Sequence, residues 1–226
     1  KALALAETLD HPFSSGTAHT YAATIFRYSG EILLVRSWAR SAIEIARIHG
    51  FMGTLWTAMS AGHEAWVFGQ EGDEDAALDG APAVLERKGP LLFRPSHLAN
   101  LGEICLLFGH LDEGLSRLDE GLELVQQTEE RWWESELFRL KGATLSAQGG
   151  DVRQIEAIYR QALEIAGAQS ARSLELRAAT SFARFLSERD RAGEAVDLLA
   201  PVHGWFTEGF DTPDLKDAKA LLDSLA

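Results

Sequence analysis

An interval of about 40 residues recurs along the second half of this 226-residue chain, and it restricts the fold more than any other feature. Leu118, Tyr159 and Leu199 stand 41 and 40 residues apart, and Gly121, Ala162 and Val202 keep the same two intervals. Gly102, Gly142 and Ala183 are 40 and 41 apart, so the odd residue falls in the middle copy, where Gly149-Gly150 can absorb it. A fixed period of this length means that one supersecondary unit is built several times and stacked on itself.

Within a unit the apolar residues recur at helical spacing. Leu98, Leu101 and Cys105 form one stripe, Gly109-His110 interrupts it, and Leu115, Leu118, Leu122 and Val125 form a second. Asp112 and Glu113 open the second helix, where acids suit the helix dipole. The next copy runs through Leu137, Leu140, Ile155, Tyr159 and Ile165; the last runs through Ala178, Phe182, Phe185, Ala195 and Leu198. Each unit reads as two antiparallel helices joined by a short turn.

The first ninety residues repeat more weakly. Val35, Ala39 and Ala42 follow Gly30, and Ala77, Ala81 and Val84 follow Gly72. The expected organisation is one all-α helical-repeat domain of five hairpins, at about 15–50, 51–90, 92–130, 131–170 and 171–206. A helix over 1–9 precedes them. A helix over 212–225 closes the stack, with Thr212 as cap, Pro213 in the first turn and Leu215, Ala218, Leu222 and Leu225 as its stripe. Pro82 and Pro201 fall inside second helices, where a bend or break is expected. Gly102, Gly114 and Gly121 each cost a helix ~1 kcal/mol relative to alanine, and close approach of two backbones is the expected compensation.

Gly102, Cys105, Gly109, Gly114, Leu118 and Gly121 stand at the spacings of the small and aromatic positions of the tetratricopeptide repeat. The chain resembles that family, although its period exceeds the family's usual ~34 residues. The resemblance implies a right-handed superhelical solenoid of helix hairpins with a capping helix. Over 130–142, 159–186 and 199–225 the chain also looks like the C-terminal repeat region of large bacterial signalling proteins. In those, an adenylate/guanylate cyclase or transcription-regulator domain is joined to a STAND-type ATPase module and then to helical repeats. This second likeness covers about 90–226. It implies a regulatory scaffold segment and carries over no catalytic residue. The start at Lys1, with KALALAETL reading as helix, fits a piece of a longer cytoplasmic protein.

Charge and motifs narrow the function. With 21 Lys and Arg against 34 Asp and Glu the net charge is −13, which argues against a nucleic-acid footprint. No apolar run reaches the ~18–20 residues of a membrane helix. The single Cys105 excludes an intrachain disulfide and fits a reducing compartment. Gly109 to Gly114 has the outer spacing of a phosphate loop, but Leu115-Ser116 follows where Lys should stand. His63-Glu64 begins a zinc-protease pattern that Val67 breaks. No catalytic, metal-ligating or cofactor-binding residue is assigned.

In the tetratricopeptide family the first helix of each pair lines a concave groove. Carried onto this chain, the inward positions include Thr20, Thr24, Arg27, Met59, Trp66, Glu103, Arg139, Thr180 and Arg184. Arg27, Arg139 and Arg184 would be cationic points in an acidic molecule, and arginine grips carboxylates in two-point geometry. The expected function is non-catalytic binding of a protein or an acidic peptide, from another chain or from the same polypeptide. The other reading is a small-molecule effector sensor, with the ligand in the groove near Trp66 or the Trp132-Trp133 pair.

Overall fold

The structure, a computed structural model, describes residues 1–80 and 93–225. Among them are twelve α-helices and no strand. After α1 (Ala2–Leu9) come five pairs: α2 (Pro12–Tyr28) with α3 (Ile32–His49), α4 (Leu55–Glu71) with α5 (Glu74–Gly80), α6 (Arg94–Phe108) with α7 (Leu111–Thr128), α8 (Glu134–Ala147) with α9 (Val152–Ala168), and α10 (Arg172–Ser187) with α11 (Ala192–Gly204). α12 (Pro213–Leu225) closes the chain, and a single 3₁₀ turn, Arg131–Trp133, leads into α8.

Local chemistry sets these boundaries. The Thr54 hydroxyl accepts the Thr57 N–H at the start of α4, and the Asp151 carboxylate accepts the Gln154 N–H at the start of α9. Gly109 ends α6 at φ +79°, a left-handed conformation that glycine adopts without strain, and its turn reverses the chain into α7. Ala81, Pro82 and Val84 lie outside the described residues. α11 runs on through Pro201 to Gly204, so the expected break is absent there. Pro201 and Asp197, whose carbonyl loses its helical donor, are both exposed, so that carbonyl is open to solvent and the proline is tolerated.

The repeat intervals correspond to a packing rule. A Cβ added to Gly102 would lie 2.7 Å from Leu118, and one added to Gly142 would lie 3.0 Å from Tyr159. The small residue of each first helix thus faces the large residue of its own second helix, and the glycines permit that approach. Gly121 performs the same service between hairpins, where a Cβ would stand 2.7 Å from Leu137. The second helices turn a narrow apolar face inward; Val35, Ala39, Ala42 and Ala46 are all fully buried on α3.

Each pair packs on the next, with α2, α4, α6, α8, α10 and α12 in successive contact. The row curls far enough for its beginning to meet its end. The Tyr28 ring lies 4.8 Å from that of Trp133, and Gly30 abuts Pro213 at the start of α12.

Candidate binding cleft

Six helices deliver charged or aromatic groups to the inside of this curl. α2 supplies Arg27 in its last turn; α4 supplies Trp66 and Gln70 one turn apart; α6 supplies Glu103. α8 supplies Glu136 and Arg139 at i, i+3, α10 supplies Arg177, Ser181 and Arg184 along one face, and α12 supplies Asp214 and Asp217.

The innermost pair is Arg27 with Glu103. Arg27 is only 2% exposed, and its Nη2 donates to Glu103 Oε2 at 2.9 Å. Trp66 Nε1 donates to the same oxygen at 3.0 Å, while the guanidinium stacks 4.7 Å over the Trp66 ring. Burial pulls the Arg27 pKa down and the Glu103 carboxylate opposes that pull.

Glu136, 1% exposed, is the second centre. Arg139 grips it with two hydrogen bonds, at 2.8 and 2.9 Å, and Arg177 Nη1 adds a third at 3.2 Å. Burial alone would raise the Glu136 pKa, but Arg139 and Arg177 outweigh it and hold the carboxyl down at about 2. Arg177 is spread over four partners. Its Nε donates to Asp214 at 2.7 Å, and its Nη2 donates to the carbonyls of Arg27 and Tyr28 at 3.1 and 3.3 Å. Three cations, Arg27, Arg139 and Arg177, therefore balance three carboxylates, Glu103, Glu136 and Asp214.

Beside this network a cleft of about 270 Å³ opens, floored by Trp66, Glu103 and Arg139 and rimmed by Gln70, Thr180, Ser181, Arg184, Asp214 and Asp217. Arg184 and Asp217 pair at 2.8 Å on the rim, each about half exposed. Arg139 Nη1 donates to Ser181 at 3.2 Å.

Five of the nine inward residues expected from sequence line this cleft: Trp66, Glu103, Arg139, Thr180 and Arg184. The other four do not line it and are buried. Arg27 is sealed behind Trp66. Thr20, fully buried, shares a hydrogen bond with Ser60 at 2.8 Å and donates to the Trp56 carbonyl. The Thr24 hydroxyl bonds His63 Nε2 at 2.8 Å, and Met59 is 3% exposed. α2 and α4 approach closely, with Gly16 under the Trp56 ring. Glu136, Arg177 and Asp214 are absent from the inward positions expected from sequence. Glu136 and Arg177 are 41 residues apart on successive first helices, so charges repeating with the period are the signal that marks them.

The remaining candidate chemistry is accounted for by packing. His63 and His97 are buried with ring centroids 6.0 Å apart, and burial first, then the Arg27 charge, depresses the pKa of His97 to about 3. Burial raises the Cys105 thiol to about 11, which leaves it a buried small hydrophobe. Trp133 is buried beside Tyr28, while Trp132 donates its Nε1 proton to Glu130 at 2.9 Å. Among the described residues no group of three or more His, Cys, Asp or Glu side chains is placed to hold a metal, and no helix is long and apolar enough to cross a membrane. Comparison with protein-family models and with curated proteins finds no match for this chain.

Proposed function

We propose that this chain is a non-catalytic, tetratricopeptide-like helical-repeat domain that binds protein, and that its cleft receives a short charged segment or a chain terminus of the partner. In this reading the curl of hairpins is a tightly wound right-handed solenoid. The partner is another chain or another domain of the same cytoplasmic bacterial signalling protein, of the cyclase- or regulator-linked STAND type. The observation that carries the proposal is the convergence of α4, α6, α8, α10 and α12 on one cleft bearing both signs of charge. A recognition site drawn from successive hairpins is what a repeat protein offers. The Arg184–Asp217 pair is half exposed, and such pairs contribute ~0–1 kcal/mol, so a partner carboxylate displaces Asp217 at little cost.

Crosslinking and pulldown against the remainder of the parent polypeptide test this reading. Arg184→Glu reverses the rim charge and Ser181→Trp fills the cleft; each is expected to abolish capture while leaving helix content unchanged. Capture undiminished by both variants overturns the assignment. The effector-sensing reading rests on the same cleft, whose 270 Å³ falls below the ~300–1,000 Å³ usual for small-molecule pockets. A thermal-shift screen separates the two, because an effector at 100 times its Kd stabilises by about 2.7 kcal/mol.

A further inference from the structure

The polar atoms of the cleft are unequally used, and the imbalance bears on which group enters it. Every nitrogen of the two inner arginines already donates: Arg139 to Glu136 and Ser181, and Arg177 to Asp214, Glu136 and two main-chain carbonyls. The carboxylates are half used. Glu103 receives both Arg27 and Trp66 on Oε2, Asp214 receives Arg177 on Oδ2, and Asp217 receives Arg184 on Oδ1. Among the described residues no hydrogen-bond donor reaches Glu103 Oε1, Asp214 Oδ1 or Asp217 Oδ2, and all three residues line the cleft. Spare oxygens on anions call for a ligand that brings donors and positive charge. Four arginines against four carboxylates leave the site neutral, so an entering cation meets no net repulsion.

Gln70 adds a second requirement. Its Nε2 is buried at the cleft wall and donates to no acceptor among the described residues. A buried amide donor calls for an acceptor, so the ligand carries a carbonyl close to its cation. The first residue of a polypeptide has this make-up: an ammonium with three donors, and the carbonyl of the first peptide bond on the adjoining carbon. A lysine side chain brings the ammonium without the carbonyl. A C-terminal carboxylate brings acceptors only, to inner arginines that are already engaged. A second hollow of about 410 Å³ shares Arg139, Ser181 and Arg184 with the cleft and adds Leu106, Ala143 and Phe185, so a chain that enters amine-first has room to continue.

We propose that the cleft binds the free N-terminus of the partner, with the ammonium among Glu103, Asp214 and Asp217 and the first carbonyl on Gln70. This rests on the protein-binding reading above and adds which end of the partner enters. Titration of the intact chain with small amides tests it, followed through the Trp66 indole N–H resonance, because that N–H bonds Glu103. Leucyl-leucinamide is expected to bind saturably, and its Nα-acetylated form, which lacks the ammonium, at least ~10-fold more weakly. Asp217→Asn, at a half-exposed position, is expected to weaken leucyl-leucinamide ~10-fold with circular dichroism unchanged. Equal binding of Nα-acetyl-lysinamide would make a lysine side chain the ligand, and tighter binding of free leucine would make it an amino acid; either result overturns the proposal. So does the absence of any response to leucyl-leucinamide, or equal binding of its acetylated form. Capture in the pulldown is measured without these probes, so the protein-binding reading stands or falls separately.

Discussion

Arg177 Nη2 on α10 donates to the main-chain carbonyl of Arg27 at 3.1 Å, joining the first hairpin to the last across 150 residues of sequence. The same guanidinium binds Glu136 and Asp214, so one side chain ties α2, α8, α10 and α12 together. Helices stacked only on their neighbours would leave both ends free; this contact fixes how far the row bends.

Arg177→Met should therefore be severe. It removes the Arg177 donor from the Asp214 carboxylate and from the carbonyls of Arg27 and Tyr28, of which that of Arg27 keeps the Gly30 N–H, and it deprives buried Glu136 of one of its two cations. Removing one member of a buried ion-pair network typically costs ~3–5 kcal/mol. Chemical denaturation measures it, and a loss under ~1 kcal/mol would mean that the network contributes little.

Glycine substitutions should separate packed from open sites. Gly102→Leu must displace Leu118 and is expected to cost ~1–3 kcal/mol or more, as is Ala162→Leu at a fully buried position. A methyl group added at Gly167 on α9 would meet nothing within 4 Å, so Gly167→Ala is expected to stabilise by ~0.5–1 kcal/mol. Melting temperatures that fail to move in opposite directions would contradict the helix register.

Stability should fall in mild acid. His63 and His97 are neutral in the folded chain because burial depresses both, His97 to about 3, whereas in the unfolded chain they titrate near 6.5. The unfolded state thus binds more protons as pH drops below ~6.5, and each histidine costs roughly 1.4 kcal/mol of stability per pH unit until its folded pKa is reached. Urea unfolding between pH 7.5 and 5 should show this slope, and His63→Gln with His97→Gln should flatten it. An equal slope in the double variant would show that other groups are responsible. Glu136 acts later: its stabilisation is lost as pH falls from about 4.5 towards 2.

Much of the fold is legible in particular residues. Gly102 with Leu118 and Gly142 with Tyr159 are spaced by the period, and the structure places each small residue against its large partner. The curl is not legible, because it is the sum of small rotations between hairpins that no local pattern records. For that reason Thr20, Thr24 and Met59 read as inward-facing groove residues when they are interior to the α2–α4 contact. Periodicity shows which way a side chain points, and the distance to the next helix decides whether a ligand can reach it. The cleft is half visible for the same reason: Arg139 and Arg184 stand on inward faces, whereas Asp214 sits in the first turn of α12, beyond the last hairpin.

Hydrogen–deuterium exchange on the chain, alone and with the other domains of its parent polypeptide, tests the central claim most directly. Partner binding at the cleft predicts slower exchange in α10 around 177–184 and at the start of α12 around 213–217, with α3 and α9 unchanged. Protection confined to other helices, or none at all under conditions where the two associate, would contradict it.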